Sequence, residues 1–279
     1  MKLYEADALK GQFLNDDSFD LLINTDCDAY DMNGNILFKF RKNCIPLDIL
    51  ELGYESFKDS ILLTDGRGIA SGSSHKRIRK DGSVSKITVG NKVESGNVGY
   101  MDKSAMVHYC RKTAFARDYF DKFNSGLPFV EFVNAKYKEL CPEHYAKQIK
   151  IANGTNRNYR INETAFTTIT VNRNFATAVH KDIGDFPDGF GNLCVYRQGQ
   201  YDGSYFCLPE YRVAIDLQNC DLLFVDVHKW HGNTPFKNCI QGFLRIAFVM
   251  YYREYMYQCK QPSEELFNTK MDQSGYMTL

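Results

Sequence analysis

Residues 165–182 read AFTTITVNRNFATAVHKD, and this stretch decides how the chain folds. Thr, Val, Ile and Phe dominate it, the residues that fit a pleated, half-buried surface, so a strand is expected over Ala165–Val179. Side chains alternate between faces along a strand. That parity places Asn172, Asn174, Ala176 and Ala178 on one face with His180, and Asp182 follows on the same side. Small and amide side chains beside an imidazole and a carboxylate imply a polar pocket wall, on which Asn172 and Asn174 are assigned to cofactor binding. Arg173 points the other way, as a surface arginine.

Downstream the sequence answers this pattern. His231-Gly232-Asn233 lies far enough from Asp182 for several strands and turns to intervene, and Arg245 follows after room for one loop and a strand. A His-x-Asp pair with a distant histidine is the 2-His-1-carboxylate set that holds non-haem Fe(II) on one face and leaves the other open. His180, Asp182 and His231 are therefore the candidate ligands. His228 competes with His231. The histidine followed by Gly-Asn-Thr-Pro sits where the chain turns over a barrel mouth, so His231 is preferred. Arg245 could form a buried ion pair. Its planar fork, charged at any relevant pH, also suits the far carboxylate of an oxo-acid, and beside an iron site that second role is favoured.

Short strands recur at Asn192–Tyr196, Tyr205–Leu208, Tyr211–Leu217, Leu222–Val227 and Leu244–Tyr252, separated by turn signals such as Asp202-Gly203 and Gln218-Asn219. In the last of these, Arg245, Ala247, Val249 and Tyr251 share a face. Closely spaced strands imply a barrel or sandwich. The expected fold is α+β: a double-stranded β-helix, or jelly roll, with buttressing helices and an N-terminal hairpin extension. One domain is expected over 1–279, with an extension at 1–100, helices at 101–155, the jelly-roll core at 156–253 and a tail at 254–279. Helix-like spacing covers Ser104–Phe123, with Ser104 as N-cap, and Leu127–Ile151, broken at Pro142. A hairpin is expected over Leu21–Lys42 around Asn33-Gly34. Its aspartates depart from calcium-loop spacing and read as turn residues.

The run TTITVN (167–172), then HKDIGD (180–185), GFG (189–191), GQYDG (199–203), Leu208-Pro209 and HKWHGN (228–233) resembles the TET/JBP family. Asp26-Cys27-Asp28, FRKN (40–43) and SGNVGY (95–100) extend the resemblance from about Asp26 to Tyr252. The resemblance implies an Fe(II)/2-oxoglutarate dioxygenase that uses O2 to oxidise the 5-methyl group of pyrimidines in nucleic acid. It assigns iron to His180, Asp182 and His231, the 2-oxoglutarate carboxylate to Arg245, and contacts with the target base to Asp185 and Asn97. Some relatives place a further base-contacting histidine after the arginine strand. Here no histidine follows His231, and the cysteine-rich zinc-binding region of animal relatives is missing.

Asp or Glu accepts from cytosine N4, where thymine presents an acceptor instead. An ionised Asp185 therefore favours 5-methylcytosine, and DNA containing 5-methylcytosine is the expected partner, its base flipped out of the stack. The same chemistry on thymine, RNA or a protein side chain, and a non-catalytic reader of modified DNA, are the alternatives. Ascorbate in place of 2-oxoglutarate is a third variant, disfavoured by Arg245. Net charge is zero and the pI about 7.0, unusual for a nucleic-acid binder. Charge is concentrated locally, however, in Lys76, Arg77, Arg79, Lys80 and Lys86 around an Asp81-Gly82 turn, a hairpin suited to phosphates. Nine scattered cysteines without Cys-x-x-Cys pairing imply reduced thiols. With no apolar run after the N-terminal charges, an intracellular protein is expected, cytoplasmic in a phage or bacterium and nuclear in a eukaryote, with no membrane partner.

Overall fold

The computed structural model describes residues 5–72, 76–88, 90–104 and 107–265, with no account of the side chains of 76–77 and 85–88. Its centre is a large antiparallel sheet. In order across it run Cys27–Tyr30, Ile36–Arg41, Leu222–Val225, Gly191–Gln198, Leu244–Tyr251, Thr168–Arg173, Val93–Met101 and Leu62–Thr64. A smaller sheet orders Leu21–Ile23, Val213–Ile215, Phe206–Leu208 and Gly232–Asn233. Interior residues of both sheets, among them Val195, Leu223 and Val225 from the large one and Phe206, Leu208 and Ile215 from the small one, pack into a single apolar cluster. Two sheets closing over a shared interior give the expected jelly roll.

Alternation explains what each face does. On Leu244–Tyr251, Ile246, Phe248 and Met250 are wholly buried against the helical layer, while Arg245, Ala247, Val249 and Tyr251 line the barrel cavity. On Thr168–Arg173, Ile169 and Val171 join the helical side, and Thr170 and Asn172 face the cavity. The helices Leu47–Phe57 and Leu127–Leu140 supply Leu50, Phe57, Phe129, Val130, Val133 and Tyr137 to that outer layer. Phe129 meets Phe248 edge-on at 5.2 Å. Phe248→Ala removes a fully buried ring at this seam and is expected to cost about 3–5 kcal/mol. A denaturant titration should show the midpoint falling with an unchanged slope.

Several expectations need correction. The strand expected to Val179 ends at Arg173, because Asn174 adopts a left-handed conformation (φ 44°) that Asn tolerates better than most residues. The Asn174 N–H donates to Arg245 O at 2.9 Å and its side-chain oxygen accepts from Arg245 N at 2.7 Å, which locks the turn. Ser104 caps no helix. The helices there are Ala114–Asp118, with Thr113 Oγ1 accepting from Ala116 N at 3.2 Å, and Phe120–Ser125. Arg111–Lys112 is instead a strand paired with Tyr100 and Met101. The second helical stretch does break where Pro142 lacks a donor, giving Leu127–Leu140 and Pro142–Gly154.

At the N-terminal end, Cys27–Tyr30 pairs with Ile36–Arg41 around a turn in which Asp31 accepts from the N–H groups of Asn33 and Asn35. Leu21–Ile23 leaves this pair and runs parallel to Val213–Ile215. These strands widen the two barrel sheets and are not an appendage. The cysteines are not all reduced: Cys110 and Cys259, separated by 149 positions, form a disulfide, and seven others are free. A pairing so distant in sequence leaves no local spacing to read. Among the described residues no helix is long and apolar enough to cross a membrane.

Candidate metal centre and its cavity

His180 and His231 face each other across an isolated antiparallel bridge, each backbone N–H donating to the other's carbonyl at 2.9 and 3.0 Å. This bridge prolongs the small sheet beyond Gly232–Asn233 and draws the two distant segments together. The Nδ1 of His180 lies 2.8 Å from Ala178 O, and the Nδ1 of His231 lies 2.9 Å from Lys229 O. A carbonyl can only accept, so Nδ1–H is the donor and both Nε2 lone pairs are left for a metal. Asp182 Oδ1 is 3.5 Å from His180 Nε2, and Asp182 Oδ2 is 3.6 Å from His231 Nε2. Those separations exceed a good hydrogen bond and suit ligands that share one ion. Candidate ligand atoms of all three residues lie within 4.8 Å of one another.

Electrostatics agree with ligation. Burial, and then the neighbouring His231, push His180 down to about 4, so the imidazole is neutral near pH 7, as a ligand must be. Burial by itself would raise the Asp182 carboxyl, but His180, His231 and Arg67 together hold it well below its usual range. His228 stays outside the set. Its Nδ1 contacts Asp226 Oδ1 at 3.3 Å and its Nε2 lies 3.3 Å from Asp185 O. His231, and not its neighbour, completes the triad.

The triad opens into a cavity of about 600 Å³, within the range of small-molecule sites. Arg245 lines it, buried, with Tyr201 beside it, and burial lowers its pKa. Among the described residues no carboxylate forms an ion pair with it. Asp216, which acts on it from further off, is engaged by Arg197 at 3.6 Å. A buried guanidinium without a counter-ion is costly unless an anion arrives, and the ion-pair alternative for Arg245 therefore falls. Asn172 also lines the cavity, its side-chain oxygen accepting from Ser95 Oγ at 2.5 Å. Asn174 does not; it holds the Arg245 backbone instead. Asn97 lies one layer back, its Oδ1 accepting from Arg67 Nη2 at 3.1 Å and Thr170 Oγ1 at 3.2 Å. Asp185 lines the cavity, and burial, followed by the nearby Asp182 charge, raises its carboxyl well above the usual range.

Arg67 went unread in the sequence. It reaches the cavity from the Gly66-Arg67-Gly68 turn, donating from Nε to Ser95 Oγ at 2.6 Å and from Nη2 to Gly96 O at 3.1 Å. A glycine-flanked arginine resembles any surface turn, so nothing local marked it. Arg173, expected at the surface, is partly covered and pairs with Glu94 at 3.2 Å. In the basic hairpin, Lys76–Ile78 pairs with Val84–Thr88, and Arg79 and Lys80 are exposed at its turn. The side chains of Lys76, Arg77 and Lys86 lie outside the described residues.

Residues 97–254 match the Tet_JBP family, described as the oxygenase domain of the 2OGFeDO superfamily. The chain belongs to this family. That span holds the whole triad and Arg245. The superfamily uses Fe(II), 2-oxoglutarate and O2, and the donor set fits: neutral imidazoles with a carboxylate for iron, and an unpaired buried guanidinium for a dicarboxylate. Among its relatives is the thymine dioxygenase JBP1 of Trypanosoma brucei brucei, 31% identical over 85% of this chain and 28% of that protein. The bifunctional helicase and thymine dioxygenase JBP2 of Trypanosoma cruzi is 38% identical over 57% of this chain and 15% of its own length. The chain thus spans less than a third of either relative. In three dimensions it resembles NgTET1, solved in complex with 5mC DNA, with a TM-score of 0.56 and 16% identity over 89% of this chain and 86% of that one. At that identity the likeness supports the fold.

Proposed function

We propose that this chain hydroxylates the 5-methyl group of a pyrimidine in DNA, thymine being the first substrate to test and 5-methylcytosine the second. The observation that carries the reading is the convergent His180–Asp182–His231 face, open to a cavity that also holds the unpaired Arg245. Bound Fe(II), with 2-oxoglutarate and O2, supplies the oxidation that inserts hydroxyl into a C–H bond and releases succinate and CO2. The protein's share is positional. Arg245 takes the far carboxylate of the oxo-acid, and Arg67 sets a second cation on the triad side of the cavity. The carbonyls of Ala178 and Lys229 keep both imidazoles in the ligating tautomer.

Thymine comes first because relatives that align with most of this chain are named thymine dioxygenases. 5-Methylcytosine is kept for Asp185, whose carboxyl lines the cavity three positions after the ligand Asp182. Ionised, it accepts from cytosine N4; protonated, it donates to thymine O4. A methyl group inside a duplex cannot reach the cavity floor, so the base must flip out, at a cost of a few kcal/mol, that is about 2–4.

The deciding experiment incubates anaerobically iron-loaded protein with 2-oxoglutarate, then O2, and matched DNAs whose only 5-methylpyrimidine is thymine or 5-methylcytosine. Nucleosides are then read by mass spectrometry. Hydroxymethylated base from either DNA, absent without iron, supports the reading; succinate without oxidised base removes the substrate and keeps the oxygenase. The exposed hairpin turn should contribute phosphate contacts. Arg79→Glu with Lys80→Glu is expected to weaken DNA binding about tenfold at low salt, with a shallower salt dependence and the same base preference. Unchanged affinity in an anisotropy titration removes the hairpin from the DNA path.

A further inference from the structure

Beside the metal ligands, the cavity wall is built by two backbone segments running side by side. Phe186 N donates to Tyr252 O at 2.9 Å and Glu254 N to Gly184 O at 2.9 Å, so Asp185 and Arg253 stand directly across from each other. Both line the cavity. Directly opposed side chains in such a pair are near neighbours, yet these two are not joined. Arg253 Nε donates instead to Asp102 Oδ1 at 2.6 Å, and Asp102 is 4% exposed. The Arg253 backbone N–H is held by Thr167 Oγ1 at 3.0 Å. Among the described residues the Asp185 carboxylate has no side-chain hydrogen-bond partner, and besides Asp102 the Arg253 guanidinium meets the Tyr251 hydroxyl, which also lines the cavity, and no second carboxylate.

A guanidinium aimed by a buried carboxylate on one edge, next to an unengaged carboxyl, offers a donor and an acceptor side by side. That pattern complements neighbouring atoms on the Watson–Crick edge of a pyrimidine: N3–H and a carbonyl of thymine, or N4–H and N3 of cytosine. Resting on the DNA-pyrimidine reading above, we propose that Arg253 is a specificity-determining residue that donates to the edge of the flipped base beside Asp185. Asp102 is its positioning residue. It fixes the guanidinium plane through Nε and never touches the base. An aliphatic side chain would leave this donor–acceptor couple unmatched, and an unmatched buried polar group discriminates strongly between ligands.

The test compares the holoenzyme with Arg253→Lys, Arg253→Met, Asp102→Asn and Asp102→Glu on a single-stranded oligonucleotide carrying one target base. Four quantities are read: KM for the oligonucleotide, kcat, KM for 2-oxoglutarate, and the visible charge-transfer absorbance of the anaerobic Fe(II)–2-oxoglutarate complex. Arg253→Lys keeps a cation against Asp102 and so guards against simple misfolding. It should raise the oligonucleotide KM at least about tenfold, with the 2-oxoglutarate KM and the absorbance unchanged. Arg253→Met should raise it further, Asp102→Asn should act in the same direction more weakly, and Asp102→Glu should restore the wild-type value. An unchanged oligonucleotide KM in Arg253→Lys overturns the proposal, as does a rise in the 2-oxoglutarate KM in its place or a loss of the absorbance. Wild-type protein that oxidises no methylpyrimidine oligonucleotide removes the underlying function and this inference with it. Wild-type activity with an indifferent Arg253→Lys removes the inference alone.

Discussion

Alanine at His180 or Asp182 is expected to eliminate stoichiometric Fe(II) binding and, with it, all oxidised product. Loss of a residue that merely orients a metal ligand costs about 10–100-fold in affinity, so loss of a ligand itself should exceed that range. The three donors here are also mutually dependent. Asp182 sits 3.5 and 3.6 Å from the two Nε2 atoms, so removing it leaves two neutral imidazoles and no anionic ligand. Anaerobic titration followed by metal analysis measures this directly. His228→Ala is the informative control. His228 contacts Asp226 and the Asp185 carbonyl and stands outside the triad, so its variant should still bind one iron. Full iron binding by His180→Ala, or its loss in His228→Ala, would contradict the ligand assignment.

Replacing Arg245 should act on the co-substrate and leave the metal alone. The guanidinium is buried and without an ion-pair partner among the described residues, so its interaction with an incoming carboxylate is charge-assisted and shielded from water. A hydrogen bond to a charged group contributes about 1.5–3 kcal/mol, which corresponds to roughly a 10–100-fold rise in the 2-oxoglutarate KM for Arg245→Met. Arg245→Lys keeps the charge but loses the planar fork, and should fall between wild type and Arg245→Met. Succinate formation against 2-oxoglutarate concentration measures the effect, with iron stoichiometry as the control. A KM that does not move in Arg245→Met would place the oxo-acid elsewhere, with Arg67 the next residue to replace.

How much of this was legible depended on whether local pattern survived into the fold. Along Leu244–Tyr251 it did: alternation placed Arg245, Ala247, Val249 and Tyr251 on one face, and all four line the cavity. Between Asn172 and His180 it did not. The left-handed turn at Asn174 reset the parity, so that Phe175 and Thr177 reach the cavity where Asn174, Ala176 and Ala178 were expected. The candidate ligands still converge, because metal chemistry restricts residue type more tightly than strand periodicity does. Arg67 and Arg253 carried no such signature. Each becomes a cavity residue only through tertiary contacts, Arg67 by its bonds to Ser95 and Gly96 and Arg253 by its clasp with Asp102. The helix expected from Ser104 failed for a related reason, since pairing of Arg111–Lys112 with Tyr100–Met101 overrode the local preference.

The Cys110–Cys259 bridge gives the choice of assay buffer a structural meaning. Cys110 lies a short way after Asp102 in sequence and Cys259 a short way after Arg253, so the cross-link staples together the two segments that the Asp102–Arg253 bond also joins. Ferrous enzymes are commonly handled with reductants, and a thiol reductant attacks disulfides as well as keeping iron reduced, whereas ascorbate does only the second. Where dithiothreitol opens the bridge, the protein loses a covalent tie behind the Asp102–Arg253 clasp that ascorbate leaves intact, and rates measured in the two buffers then describe differently tethered molecules.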